Sequence, residues 1–235
     1  MKNKILLIEK LLKEKFGIPQ RSKKSPNPVD LLIATILSQN TNDRNSFKAF
    51  QNLKKKYSSW EDVAKEKRTS IERLIRIAGL GKQKSSTIKN FLSSLLKERG
   101  KISLRHLKSL NDGEVLTELT KYPGIGIKTA SCVLLFSLRR NVCPVDTHVQ
   151  RTVNRIGIVK ASSPDKTFYL LNKNMPEGIA HSFHTNLIRL GREICKPQKP
   201  NCSTCPLLKI CDYEYKNFDW VEQNKENSFM LLDNV

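Results

Sequence analysis

Apolar residues recur at helical spacing along almost all of this 235-residue chain, and strand-like alternation is nearly absent. Ile5, Ile8, Leu11 and Leu12 form one stripe and Phe47, Phe50 and Leu53 another. Ile71, Leu74 and Ile75 follow, then Ile88, Phe91, Leu92 and Leu95. Steps of three and four residues gather side chains on one face of a helix but scatter them across both faces of a strand, so the pattern predicts an all-α fold. Punctuation agrees: Thr69 is placed to cap a helix that Gly79 stops, and Gly100 closes a long basic helix before Lys101. The length suits one large domain or two modest ones, and 38% hydrophobic residues supply a core that needs no staples.

Charge narrows the partner. Lys and Arg number 42 against 22 Asp and Glu, a formal net charge of +20. That imbalance is unusual for an enzyme of small metabolites and points to a polyanion, nucleic acid before a ribosomal surface or a merely solubilising charge. No run of about eighteen apolar residues is present, so no membrane span is expected. The basic start at Met1-Lys2-Asn3-Lys4 is followed by an apolar stretch that charges interrupt at once, which reads as an amphipathic helix of a cytosolic protein, not a signal peptide. Six cysteines in such a protein argue for a metal site or buried thiols over disulfides.

Two composition changes mark organisation. The polar, proline-marked segment Arg21 to Pro28 separates the first helix from the apolar helix Leu31–Leu37, and a second change falls near Arg139-Arg140-Asn141, before a proline-led start at Pro144. The tail after Cys211 is polar and dotted with aromatics, without a clear apolar face.

Between these marks lies Tyr122-Pro123-Gly124-Ile125-Gly126-Ile127-Lys128-Thr129-Ala130. Leu116–Lys121 reads as the end of one helix and Ile127–Leu138 as the next, joined by a turn whose two glycines permit positive φ and close approach to a ligand. Their amides, with the first amides of the following helix, form a donor cluster suited to a phosphate oxygen. Lys128 falls in the first turn of that helix, where the positive end of the helix dipole favours a neutral, nucleophilic amine. Taken alone, Lys128 is read first as a phosphate contact. A second group follows: Pro144 fixes a helix entry and Asp146, at the N-cap, starts a helix that carries Arg151 and Arg155. Capping and catalysis are compatible there, because accepting backbone amides keeps a carboxylate ionised and aimed, ready to stabilise developing positive charge or move a proton.

Cys195, Cys202, Cys205 and Cys211 form a C-x6-C-x2-C-x5-C array in a proline-bearing segment that also carries Lys196 and Lys199. Four thiolates so close in sequence saturate one tetrahedral zinc or one four-iron cluster, and spacing by itself does not choose between them. Cys132 and Cys143 read as core packing.

Taken together, Leu116–Ala130, Val145-Asp146-Thr147-His148-Val149 and the cysteine array resemble the helix-hairpin-helix DNA glycosylases of the endonuclease III type, over roughly Leu31 to Cys211. The resemblance implies two all-α domains with the active-site cleft between them: a six-helix domain, residues 25–137 with the hairpin at 113–138, and a cluster domain from residues 1–24 and 138–235. It implies Lys128 as Schiff-base nucleophile, Asp146 as second catalytic residue and a [4Fe-4S] cluster on the four cysteines in place of zinc. Gly124, Ile125, Gly126 and Thr129 are then expected to contact DNA. In the family a Leu-Ser-x-Gln-Thr-like stretch sends its Gln into the gap left by a flipped base; here Leu37-Ser38-Gln39-Asn40-Thr41 offers Gln39 or Asn40. Gly79-Leu80-Gly81-Lys82-Gln83-Lys84 resembles the family's wedge loop, with Leu80 as the wedge or, read plainly, a core leucine, and with Lys84 as a further DNA contact. His184 and Arg192 match family-like positions, and neither His184 nor His148 is assigned a catalytic role. The activity so implied is bifunctional: glycosylase and AP lyase acting as a monomer on oxidised pyrimidines or abasic sites in duplex DNA, in a cytoplasmic, nucleoid-associated setting. Two alternatives stay open, a glycosylase for mismatched or modified bases and a non-catalytic DNA-binding hairpin protein.

Overall fold

In a computed structural model residues 1–219 are described; the end of the aromatic-dotted tail, 220–235, lies outside them. Among the described residues there are helices, turns and loops and no strand, as the apolar spacing predicts. No helix among them is long and apolar enough to cross a membrane.

The described residues divide into two compact units, one built from Ser22–Arg140 and the other from Met1–Arg21 with residues 141–219. In the Ser22–Arg140 unit the centre is a helix at Pro28–Leu37, here α2 after the first helix of the chain, α1 (Lys2–Phe16). Asn27 caps it by accepting the Val29 amide at 2.9 Å and Pro28 occupies its first turn, where a missing N–H costs nothing. Val29 and every residue from Leu31 to Leu37 are buried, so α2 is apolar all round and must be enclosed. Around it come α3 (Asp43–Lys56), α4 (Trp60–Lys65), α5 (Arg68–Ile75), α6 (Gly81–Arg99), α7 (Asp112–Thr120) and α8 (Ile127–Cys132), which continues without a break into a wider π turn, Val133–Ser137. Helix α2 packs on α3, α6 and α8, and α6 on α4 and α5. The stripes Phe50–Leu53, Ile71–Ile75 and Ile88–Leu95 all face this interior, each large side chain contributing about 1.5–3 kcal/mol by leaving water.

Gly100 ends α6 in the left-handed conformation, φ 67°, as its position after the basic helix predicts. The start of α5 is corrected. Its cap is Lys67, whose carbonyl receives the Ser70 amide at 3.0 Å, and Thr69 lies inside the first turn.

The other unit is built on α1, α9 (Thr147–Ile156), α10 (Pro164–Asn172) and α11 (Ala180–Glu193), with α11 packed on both α1 and α9. Ile5, Ile8 and Leu12 are its buried stripe on α1. Gly191 permits the α9–α11 approach: a Cβ there would lie 2.9 Å from His148 Cβ and 3.2 Å from the Arg151 guanidinium. Cys132 and Cys143 are fully buried, each in its own unit.

Candidate active site

The hairpin is held from behind. Tyr122 closes α7 with its ring edge-on to Phe91 and its hydroxyl donating to Glu98 at 3.0 Å, both partners on α6. Lys121 is neutralised by Glu98 and Glu118 at 3.0 and 3.2 Å, so its charge is spent within the protein. Gly124 then turns the chain at φ 87°, and a Cβ on it would stand 2.5 Å from Thr87 Oγ1 and 2.8 Å from Thr87 Cγ2. Only glycine meets both demands.

Two expectations for the turn are corrected. Gly126 does not use positive φ: with φ −94° and ψ 178° it is the extended cap of α8. Ile125 does not offer its side chain or amide to a ligand as expected: the residue is 3% exposed, and its amide donates to Tyr122 O at 3.0 Å, closing the turn. Thr129 is also buried, so at that position only the backbone amide is available. Beside the amides of Gly124 and Gly126, the first-turn amides of α8 at Ile127, Lys128 and Thr129 by helix geometry have no acceptor within the helix. Lys128, the second residue of α8, is half-buried among them.

Two further loops of the same unit carry backbone strain. Asn40 has φ 49° and is exposed; Leu80 has φ 50° and ψ 35° and is 47% exposed. A non-glycine residue in this left-handed region costs about 1–2 kcal/mol, more for leucine than for asparagine, and persists only where its surroundings enforce it. Leu80 is thus not a core leucine. It stands at the entry of α6 and, with Gly81, Lys82, Gln83 and Ser86, lines an open hollow. Gln39 is half-buried beside Asn40.

Lys84 does not reach the surface. It is 1% exposed, and its Nζ donates to Leu37 O and Ala78 O, both at 2.8 Å. Burial pushes its ammonium down to about 8. The contact with DNA expected of it is therefore withdrawn: no phosphate can touch a cation enclosed by two helix ends.

In the other unit Asp146 caps α9 as its position predicts, Oδ1 accepting the Val149 amide at 2.8 Å. The buried His184 contacts Pro144 O through Nδ1 at 3.0 Å, which braces the chain two residues before the carboxylate. His148 follows it; burial holds its imidazole below the usual range, with Asp146 opposing and Arg151 and Arg192 adding to the effect.

The two arginines of α9 turn inward, which sequence alone did not show. Arg151 donates to Gly191 O at 2.8 Å and Cys195 O at 3.0 Å, and Arg155 to Lys196 O at 2.7 Å and Pro197 O at 2.8 Å. Arg155 also approaches Cys195 Sγ at 3.5 Å and covers the Tyr213 ring. Their spacing of four, which puts both on one face of α9, was the only sequence signal. The cysteine segment is thus sewn to the helix that Asp146 starts. Within it burial pushes the Cys205 thiol up to about 11, and the other three cysteines push the same way. A cationic centre bound there would act the other way, holding the thiols as thiolates. Among the described residues no three Cys, His, Asp or Glu side chains close around a single ion.

Residues 33–177 match the HhH-GPD superfamily of base excision DNA repair proteins. An Arabidopsis thaliana relative whose name describes a DNA glycosylase is 38% identical over 195 residues, 78% of this chain and 66% of that protein. Endonuclease III of Thermotoga maritima is 35% identical over 210 residues, 88% of this chain and 93% of the relative. Among solved structures, a non-covalent endonuclease III–DNA complex matches with a TM-score of 0.76 at 29% identity, covering 90% of this chain and 95% of that one.

Proposed function

We propose, from the premise that this chain belongs to the HhH-GPD superfamily of base excision DNA repair proteins, that it releases damaged bases from duplex DNA and cuts the strand at the abasic site it makes. It is a DNA glycosylase with AP lyase activity. The observation that carries this reading is a half-buried lysine in the first turn of the helix that leaves a glycine hairpin, in a chain similar to endonuclease III over nearly all of its length.

In the reaction so proposed, the first-turn amides of α8 hold a phosphate and Lys128 Nζ attacks C1′ of the damaged nucleotide. The N–C1′ bond breaks as the N–C bond to lysine forms, and the base departs with the bonding electrons and a proton. The nitrogen gives up the proton that leaves with the base, its lone pair then forms C=N as the C1′–O4′ bond breaks, and O4′ takes a proton from solvent, leaving a Schiff base protonated on nitrogen. Removal of a C2′ proton then expels the 3′ phosphate, and water returns the lysine. Asp146, ionised and aimed by its cap, stabilises the positive charge that builds on the sugar as the base leaves. Asn40 or Gln39 occupies the gap and Leu80 wedges the stack, together offsetting an unstacking cost of a few kcal/mol. Exposure and left-handed backbone at Asn40 and Leu80 support that assignment.

For the four cysteines a [4Fe-4S] cluster is proposed in place of zinc, because the C-x6-C-x2-C-x5-C array resembles the cluster loop of the endonuclease III type and the chain is 35% identical to an endonuclease III. When bound, such a cluster supplies a rigid centre that orders the basic loop of Lys196 and Lys199. Iron and sulfide in equal amounts are expected on the purified protein; stoichiometric zinc would contradict this.

Oxidised pyrimidines are the proposed substrates. Single-turnover reactions on a panel of duplexes, each with one oxidised pyrimidine, oxidised purine or mismatch, test this. Base release with strand cleavage on the oxidised pyrimidines supports it, and binding without either product contradicts it.

A further inference from the structure

Asn40 and Leu80 lie forty residues apart in sequence, yet each follows closely on a helix end whose last carbonyl accepts from the same side chain. Leu37 is the final residue of α2, and Ala78 ends the short 3-10 turn Arg76–Ala78. The last carbonyls of a helix lack internal partners and carry the negative end of its dipole. The ends of α2 are closed locally where they can be, the Ser38 amide returning to Ala34 O and its hydroxyl to Thr35 O. Leu37 O is left to Lys84. The same residue grips the second loop twice, since its backbone amide donates to Leu80 O at 2.9 Å while Nζ holds Ala78 O.

Taking the loops as the elements that enter the duplex, as proposed above, we propose that Lys84 is a positioning residue that locks the Gln39-Asn40 and Gly79-Leu80 loops into one unit, so that plug and wedge enter DNA together. A lysine enclosed to 1% exposure is a costly way to fill space, and an apolar side chain of similar length would pack there without losing hydration. What the apolar side chain could not do is hold two carbonyls from separate elements at once. The two left-handed residues lie three positions after Leu37 and two after Ala78, where strain needs an outside restraint to persist. Burial, which pushes the Lys84 ammonium down to about 8, leaves its hydrogen-bonding role intact, because a neutral amine still has two donors for two carbonyls.

The test measures affinity for a duplex with a stable abasic-site analogue relative to the same duplex undamaged. Asn40→Ala, Leu80→Ala and the double variant are compared in the wild-type background and in Lys84→Met. In the wild-type background each single change lowers the lesion preference, and the double variant departs from the product of the singles by about threefold or more. Lys84→Met lowers the preference about tenfold, leaves undamaged-duplex affinity unchanged and makes the two losses multiply. Losses that already multiply in the wild-type background overturn the proposal, and this arm needs no Lys84 variant to fold. An equal loss on both duplexes in Lys84→Met, the mark of a purely structural role, overturns it as well. If neither Asn40→Ala nor Leu80→Ala changes the preference, the assignment of the loops themselves fails, and the proposal with it.

Discussion

Single residues in this protein are fixed by two demands at once. Gly124 must both turn left-handed and pass Thr87 at a distance no Cβ allows, so Gly124→Ala should cost about 1–3 kcal/mol and lower the melting temperature. A melt unchanged within a degree would show that Thr87 yields and that the turn relaxes. Asp146 likewise caps α9 while, in the proposed reaction, facing developing charge. Asparagine caps helices as well as aspartate does, so Asp146→Asn should keep stability within about 0.5 kcal/mol while slowing base release at least about 100-fold. Asp146→Ala should lose both, with about 1 kcal/mol from the cap. Equal rates for Asp146→Asn and wild type would reduce the residue to its cap.

At the scale of elements, what was legible in the sequence was what local chemistry decides. Helical spacing gave the all-α fold, Gly100 the end of α6, and Pro144-Val145-Asp146 the capped start of α9, because each depends on neighbours within a turn or two. Illegible features depend on chain that returns from far away. Lys84 reads as a surface cation until α2 brings up the Leu37 carbonyl from 47 residues earlier. Arg151 and Arg155 read only as basic residues of the helix after Asp146 until the segment from Cys195 folds against them. Ile125 and Thr129 read as contacts because nothing local says which side of the hairpin is turned into the core. Gly126 was misread for a simpler reason: a helix cap and a left-handed turn both admit glycine, and only the backbone angles distinguish them.

For the molecule as a whole, a net charge of +20 makes affinity for duplex DNA a matter of counterion release. The logarithm of the binding constant should fall linearly with the logarithm of salt, by about 0.9 for each phosphate neutralised. Lys199, exposed between Cys195 and Cys202, is expected to supply one such contact, and Lys199→Gln should reduce the slope by about that amount without changing lesion preference. Affinity that barely changes between low and moderate salt would remove the basis for reading the charge as a DNA footprint. The central claim is chemical, that Lys128 forms a covalent bond to the sugar, and borohydride reduction in the presence of an abasic-site duplex tests it most directly. Wild-type protein should be trapped as a stable protein–DNA adduct and Lys128→Ala should give none; an adduct that survives Lys128→Ala, or none with the wild type, would contradict the account.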